Sequence, residues 1–368
     1  TGTSGAIYSN KGNLEIIDCA IENNTTNENY GASGVFHYGN KPLVIERCTF
    51  EGNTGSNIQG YARTIKVGMS SFTGNPSVLI NSCTFDNNTP FDISIYYGKS
   101  PVRISNCIFR TDSPEAYAIS VINPAIELSN CLFDGKGIKF ANSVPSAVIV
   151  NSSFLNCLIA FNAETYKPQY MFSNCIFWGN GTDLGTTNGL TVTNSCVEDG
   201  YPGNISADPL FVDAANHDFR LTFDSPCRNT GNNGAAGIGT KDIESKERIL
   251  DGTVDMGCYE YPVDLVAASI TSIDKQFEYN LKTVVKTSIK LFDDDSSPAN
   301  LLVEYSTDNG TTWYQATGDF SSSEPFATSP YGESVEFYWD ALADLGRGSF
   351  ADIIVRVTPS EDITSGYP

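Results

Sequence analysis

Apolar and polar positions alternate in short bursts through residues 1–206, and the bursts are copies of one another. Val102–Phe109 reads V-R-I-S-N-C-I-F, Ile126–Phe133 reads I-E-L-S-N-C-L-F, and Tyr170–Phe177 reads Y-M-F-S-N-C-I-F. Looser copies run at Leu14–Ile21, Leu43–Phe50, Val78–Phe85, Ala147–Phe154 and Leu190–Val197. Within a copy the apolar residues fall two apart (Val102, Ile104), which is the period of a strand. No copy carries the spacing of an amphipathic helix.

Aligning the copies on one position (Cys19, Cys48, Cys83, Cys107, Cys131, Ser152, Cys175, Ser195) gives gaps of 29, 35, 24, 24, 21, 23 and 20 residues. A unit that short, built of strands and polar turns, suits one coil of a parallel β-solenoid. Its strands would pair with their copies above and below, about 4.8 Å away. Asn106, Asn130, Asn151, Asn174 and Asn194 precede the aligned position, where stacked amides would bond from coil to coil. Phe50, Phe85, Phe109, Phe133, Phe154 and Phe177 would stack down the interior. Cys and Ser alternate where a small inward side chain is needed. Ser71–Asn75 echoes the motif too close to Cys83 for a full coil. Tyr61–Ser71 is therefore expected as the second strand of an enlarged coil or as a protruding hairpin.

Tetrads follow the strand at Ile21–Asn24, Phe50–Asn53, Phe85–Asn88 and Phe177–Asn180, each an apolar residue and then a turn rich in Asn or Gly. Such a corner calls for left-handed backbone. With Gly5–Ile7 (G-A-I), these F-x-x-N tetrads resemble the repeats of the bacterial polymorphic outer-membrane protein class. The resemblance implies a β-helix of a surface or secreted, often adhesive, protein.

Charge and cysteine content narrow the picture. Asp and Glu number 43 against 22 Lys and Arg, a net charge of −21. A field of that sign disfavours nucleic acid and anionic membrane. The sequence shows no apolar run long enough to span a bilayer and no leader. It starts without Met and in the middle of a coil, so it is expected to be a piece of a longer polypeptide. Of the ten cysteines, Cys19, Cys48, Cys83, Cys107, Cys131 and Cys175 share one stacked position, poor geometry for bridging. They are expected as buried free thiols. Cys157 and Cys196 lie off that position, and Cys227 and Cys258 are open to pairing.

Residues 207–262 change character. D-P-L-F-V-D (Asp208–Asp213), H-D-F-R-L (His217–Leu221), S-P-C-R-N-T-G (Ser225–Gly231) and G-T-V-D-M-G-C-Y-E-Y (Gly252–Tyr261) follow in order. Together they resemble the choice-of-anchor Q segment of bacterial surface proteins, with a departure at Asp242–Arg248 (D-I-E-S-K-E-R). The segment is expected as the last coils and a cap, because an open solenoid end exposes strand edges and core. Residues 263–368 read as an all-β module. Thr287–Phe292, Leu301–Ser306, Thr311–Ala316, Val335–Trp339 and Ile353–Val357 are its strands, with a hairpin at Asp308-Asn309-Gly310. The strand spacing suggests an immunoglobulin-like or fibronectin-type sandwich. Y-S-T-D-N-G-T-T-W (Tyr305–Trp313) resembles such modules in large bacterial extracellular proteins.

The search for chemistry finds no catalytic set. His37, read as a surface strand residue, and His217, read as a turn residue, lack a recognisable Ser, Cys or metal-ligand partner. Arg47, Lys66, Arg103, Arg110 and Lys139 show no recurrence on one face, and Glu46, Glu127 and Asp134 do not align as a glycosidase pair. Asp208, Asp213, Asp218, Asp255 and Glu260 read as turn acids before calcium ligands. Asp293, Asp294 and Asp295 read as a solvated turn, with calcium as the alternative. Tyr96, Tyr97, Tyr117, Tyr166, Tyr170 and Trp178 are the candidates for stacking on sugars.

The expectation is an all-β chain, a right-handed parallel β-helix with a C-terminal cap followed by a β-sandwich. It would serve as a non-catalytic structural or adhesive part of a bacterial cell-surface or secreted protein. No cofactor is required, and calcium is the candidate ion. Expected partners are a protein or glycan at the cell surface, or further copies of itself, with no nucleic acid and no membrane insertion. The alternatives are a polysaccharide-binding or polysaccharide-cleaving β-helix, and a subunit of an extracellular filament or layer.

Overall fold

The computed structural model describes residues 5–27, 31–39, 41–55, 63–68, 77–96, 100–112, 117–141, 144–164, 169–185, 189–222, 224–250, 252–261, 267–278, 282–293, 298–321, 325–329, 332–347 and 353–361. The chain divides into two compact units, 1–261 and 262–368.

The first unit is a right-handed parallel β-helix of three sheets. The first sheet stacks Ile7–Asn10, Ala32–Tyr38, Arg63–Gly68, Ile93–Tyr96, Tyr117–Ile122, Gly137–Phe140 and Phe161–Ala163. The second stacks the front half of each repeat copy, from Leu14–Ile17 to Thr191–Thr193, and the third the back half, from Ala20–Glu22 to Cys196–Val197. Each strand pairs in parallel with its copies, so alternation along a strand becomes a column across strands. Val78, Val102 and Ile126 align inward, as do Ile80, Ile104 and Leu128. The Phe column from Phe50 to Phe177 is fully buried, with adjacent ring centroids 4.7–4.9 Å apart and planes within 8°. That spacing is the rung spacing: the backbone ladder imposes the stack.

The recurring Asn owes its place to the corner between the second and third sheets. There one residue per coil is left-handed: Asp18, Arg47, Ser82, Asn106, Asn130, Asn151, Asn174 and Asn194 all have φ between 47° and 55°. Asn tolerates that region better than other residues with a Cβ. The amides do bond between coils in part, Asn106 Nδ2 to Asn81 Oδ1 at 2.9 Å and Asn130 Nδ2 to Asn106 Oδ1 at 3.2 Å. A second left-handed corner sits at the third tetrad position (Asn23, Gly52, Asn87, Gly179). Asn24, Asn53 and Asn88 follow it; the last two are buried, and Asn53 and Asn88 each accept from the backbone N–H and the amide of the Asn before.

Cys and Ser interchange at the aligned position because both close the same bend. Cys107 Sγ donates to Ser105 O at 3.1 Å, and Ser152 Oγ donates to Val150 O at 3.0 Å. All ten cysteines are free, and all but Cys19 are buried. Cys19 corrects the expectation: it lies on the first rung of its sheet, with a neighbour on one side only. Tyr61–Ser71 is corrected as well. Its described part, Arg63–Gly68, is an ordinary strand of the first sheet, paired on both sides. Ser71–Asn75 lies outside the described residues.

Residues 207–261 do two things. Near the solenoid end, Ile205 extends the last rung by bonding Ser195 O and Val197 N, while Tyr201 packs on the core. The chain then runs back along the outer side of the third sheet. Leu132, Leu155, Ile176 and Cys196, which point out of the solenoid, are covered by Phe219, Leu221, Cys227, Met256 and Cys258. Corner Asn side chains hold this layer: Asn130 donates to Lys241 O at 2.6 Å, Asn151 to Asp255 O at 3.1 Å and Asn174 to Asn232 O at 3.1 Å. Its centre is Arg248, fully buried, which donates to the carbonyls of Asp255, Gly257 and Cys258 and lies 3.7 Å from Glu260. Asp242 accepts the N–H groups of Glu244, Lys246 and Glu260, so the departing loop Asp242–Arg248 is itself the layer's polar framework.

The second unit holds two antiparallel three-stranded sheets. One joins Ala267–Glu278, Lys282–Phe292 and Glu333–Trp339; the other joins Ala299–Ser306, Tyr314–Gln315 and Ile354–Glu361. Ile289, Leu291, Val303, Phe337 and Trp339 form its core. The expected hairpin is present, with Asn309 and Gly310 left-handed and Asp308 anchoring the turn through Thr312 N. Those turn hydrogen bonds hold the Asp308 carboxyl down at about 2.

Candidate functional site

The outer face of the first sheet differs from every other surface of the solenoid. Side chains two apart in one strand point outward, and register sets them in columns. One column runs Tyr8, Phe36, Lys66, Ser94, Ser120, Lys139, Asn162, and the next runs Asn10, Tyr38, Gly68, Tyr96, Ile122. Tyr8 meets Phe36 edge to face at 5.6 Å, and Phe36 meets Tyr38 at 6.1 Å. Lys66 Nζ lies 4.9 Å from the Phe36 ring centre and 5.6 Å from that of Tyr96. Arg63 lies over Phe91 at 4.4 Å and donates to Tyr96 Oη at 2.7 Å. Lys139 lies over Tyr117 at 5.8 Å, and Asn162 donates to Tyr117 Oη at 2.6 Å. Burial among these rings, with Arg63 nearby, lowers the Lys66 ammonium to about 8.

None of the seven strands of this sheet contains Asp or Glu. The second sheet carries Glu15, Glu46 and Glu127, and the third carries Glu22, Glu51, Asp86 and Asp134. On those sheets basic residues pair with acids: Arg103 with Glu127 at 2.7 Å, and Arg110 with Asp86. Asp92, just before a first-sheet strand, is buried against Lys136 Nζ at 3.3 Å, and Glu164 lies beyond the last strand. Lys66 and Lys139 thus recur in one column, three rungs or about 14 Å apart. Intervals of 28, 26 and 19 residues along that column hid this from the sequence. Glu22, Glu51, Asp86 and Asp134 form a column on the third sheet, legible afterwards as the residue following each tetrad's apolar head.

The other candidates scatter. Of the aromatic candidates, Tyr96 stands on the first-sheet face. Tyr117, at its edge, is largely buried, and Tyr170 is fully buried with its hydroxyl on Val144 O, so it faces the core. Trp178 packs into the layer over the third sheet. Tyr97 and Tyr166 lie outside the described residues. His37 is buried rather than on the surface, because its strand parity points it inward; its Nε2 donates to Lys41 O at 2.8 Å. His217 fastens the layer through Nδ1 to Asp134 at 2.5 Å. Asp208, Asp213 and Asp218 hold local turns or pair with Arg220, while Asp255 and Glu260 are buried beside Arg248. Asp293 is buried and accepts from Thr328 Oγ1 at 3.2 Å, whereas a solvated turn was expected. Asp294 and Asp295 lie outside the described residues. Among the described residues no three His, Cys, Asp or Glu side chains are grouped as metal ligands. A groove of about 440 Å³ runs between the second sheet and Ala236–Gly237, with apolar walls at Leu79, Val148 and Val150.

A family model described as the right handed beta helix region matches residues 1–111, which include the aromatic end of the first-sheet face. No curated protein and no solved structure matches the chain.

Proposed function

We propose that this chain is a non-catalytic, adhesive part of a bacterial extracellular or cell-surface protein, in which the β-helix is a stiff rod and the outer face of its first sheet is the contact surface. The observation that carries this is the concentration of Tyr8, Phe36, Tyr38, Lys66, Tyr96 and Lys139 on a sheet without carboxylates. Aromatic and cationic side chains held on a rigid sheet suit recognition without reorganisation. The tetrads, which resemble polymorphic outer-membrane repeats, support a surface location. So do the blocks of 207–262, which resemble the choice-of-anchor Q segment. The resemblance of Tyr305–Trp313 to extracellular modules supports the second unit as an immunoglobulin-like spacer.

One observation favours cleavage as a second reading. Lys66, lowered to about 8, has a neutral fraction that could take a proton from a bound sugar. The strands around it offer no carboxylate as acid or cation ligand, which favours binding over turnover. A glycan panel read for both binding and product release separates the two. Binding without new ends, weakened by Tyr8→Ala, supports adhesion; product release abolished by Lys66→Gln contradicts it.

A further inference from the structure

We propose that the ligand of this face is a carboxylate-bearing polysaccharide, a polyuronate, lying across the rungs of the first sheet along the column from Tyr8 to Lys139. The inference rests on the binding-face reading above and names its ligand class. Three features point the same way. First, sign: in a chain of net charge −21, the strands of this sheet carry Arg63, Lys66 and Lys139 and no acid. Local potential there favours anions while the rest of the molecule repels them. Second, shape: the columns run along the solenoid axis, so a linear polymer meets aromatic Tyr8 and Phe36, then Lys66, then two serines, then Lys139 and Asn162. Rings offer flat apolar faces to sugar C–H groups, and ammonium groups about 14 Å apart offer ionic contacts at intervals. Third, polar capacity: Ser94 Oγ, buried in the floor between Lys66 and Ser120, has no hydrogen-bond partner among the described residues.

Single-stranded nucleic acid also combines rings with charge, but its denser phosphates meet the repulsion of the whole molecule. Lys66 faces Arg63 on its own strand and Phe36 and Tyr96 on the neighbouring strands. Polyuronate affinity is therefore expected to fall as pH rises through about 8 and Lys66 loses its proton.

The test is calorimetric titration of the whole chain with alginate, with dextran as neutral polymer and with single-stranded DNA, at low and high salt. The expected result is alginate binding that weakens with salt, with dextran and DNA much weaker. Lys66→Gln combined with Lys139→Gln should lower alginate affinity about ten-fold or more, as for two lost charge-assisted contacts. Lys66→Arg should retain it, and Arg103→Gln on the second sheet should leave it unchanged. Dextran bound as tightly as alginate, with loss in Tyr8→Ala, overturns the polyuronate inference and leaves the binding face standing. DNA bound as tightly overturns it too. No polysaccharide bound at all overturns both readings.

Discussion

At the scale of single residues, two columns carry most of the solenoid's specification. Phe109 is sandwiched between Phe85 and Phe133 at 4.8 Å on either side. Phe109→Ala is expected to destabilise the first unit by about 3–5 kcal/mol, since neighbours fixed by the ladder cannot collapse into the void. Denaturant unfolding reads this directly; a loss below ~1 kcal/mol would mean the stack is incidental. The thiol column is chemically inert by burial, which raises Cys83 and Cys107 above the ordinary range and Cys175 to about 12. Brief alkylation of the native chain should label Cys19 alone, and mass spectrometry would show it. Cys107→Ser should cost no more than about 1–2 kcal/mol, because Ser152 and Ser195 already make the same hydrogen bond in that column.

At the scale of elements, the layer 207–261 depends on ionisable groups sealed inside it. Arg248→Met leaves Glu260 buried without its partner, and breaking such a pair costs about 3–5 kcal/mol. Hydrogen exchange should then rise across 207–261 before it rises in the Phe column. Glu260 is pushed from 4.5 to about 8, by burial first and by Asp255 second. A carboxyl raised in the folded state stabilises it most below the ordinary value, and that stability is lost as pH rises through about 8. Exchange in the layer should therefore speed up over that window, and Glu260→Gln should flatten the dependence. An unchanged slope in the variant would assign the effect elsewhere. These elements also show what a sequence makes legible. The second- and third-sheet strands were readable because one corner residue joins them, so both fall inside one contiguous motif. The first-sheet strands were not, because loops of variable length separate them from that motif. Arg63–Gly68 was misassigned for this reason. The back-folded layer was hidden too, since outward Leu132 and Ile176 alternate like any strand residue until something covers them.

At the scale of the molecule, an acidic rod with one carboxylate-free sheet is organised for lateral recognition. Lys66 and Lys139 looked scattered in the sequence, because their shared column exists only once register is known. Scattered acids and paired arginines on the other two sheets keep those surfaces unremarkable by comparison. The central claim is therefore one of location. Hydroxyl-radical footprinting of the whole chain, with and without saturating alginate, tests it most directly. The account predicts protection of Tyr8, Tyr38, Lys66, Tyr96 and Lys139, with Arg103 and Trp178 unchanged. Protection confined to the groove beside Ala236–Gly237, or to the second unit, would contradict it.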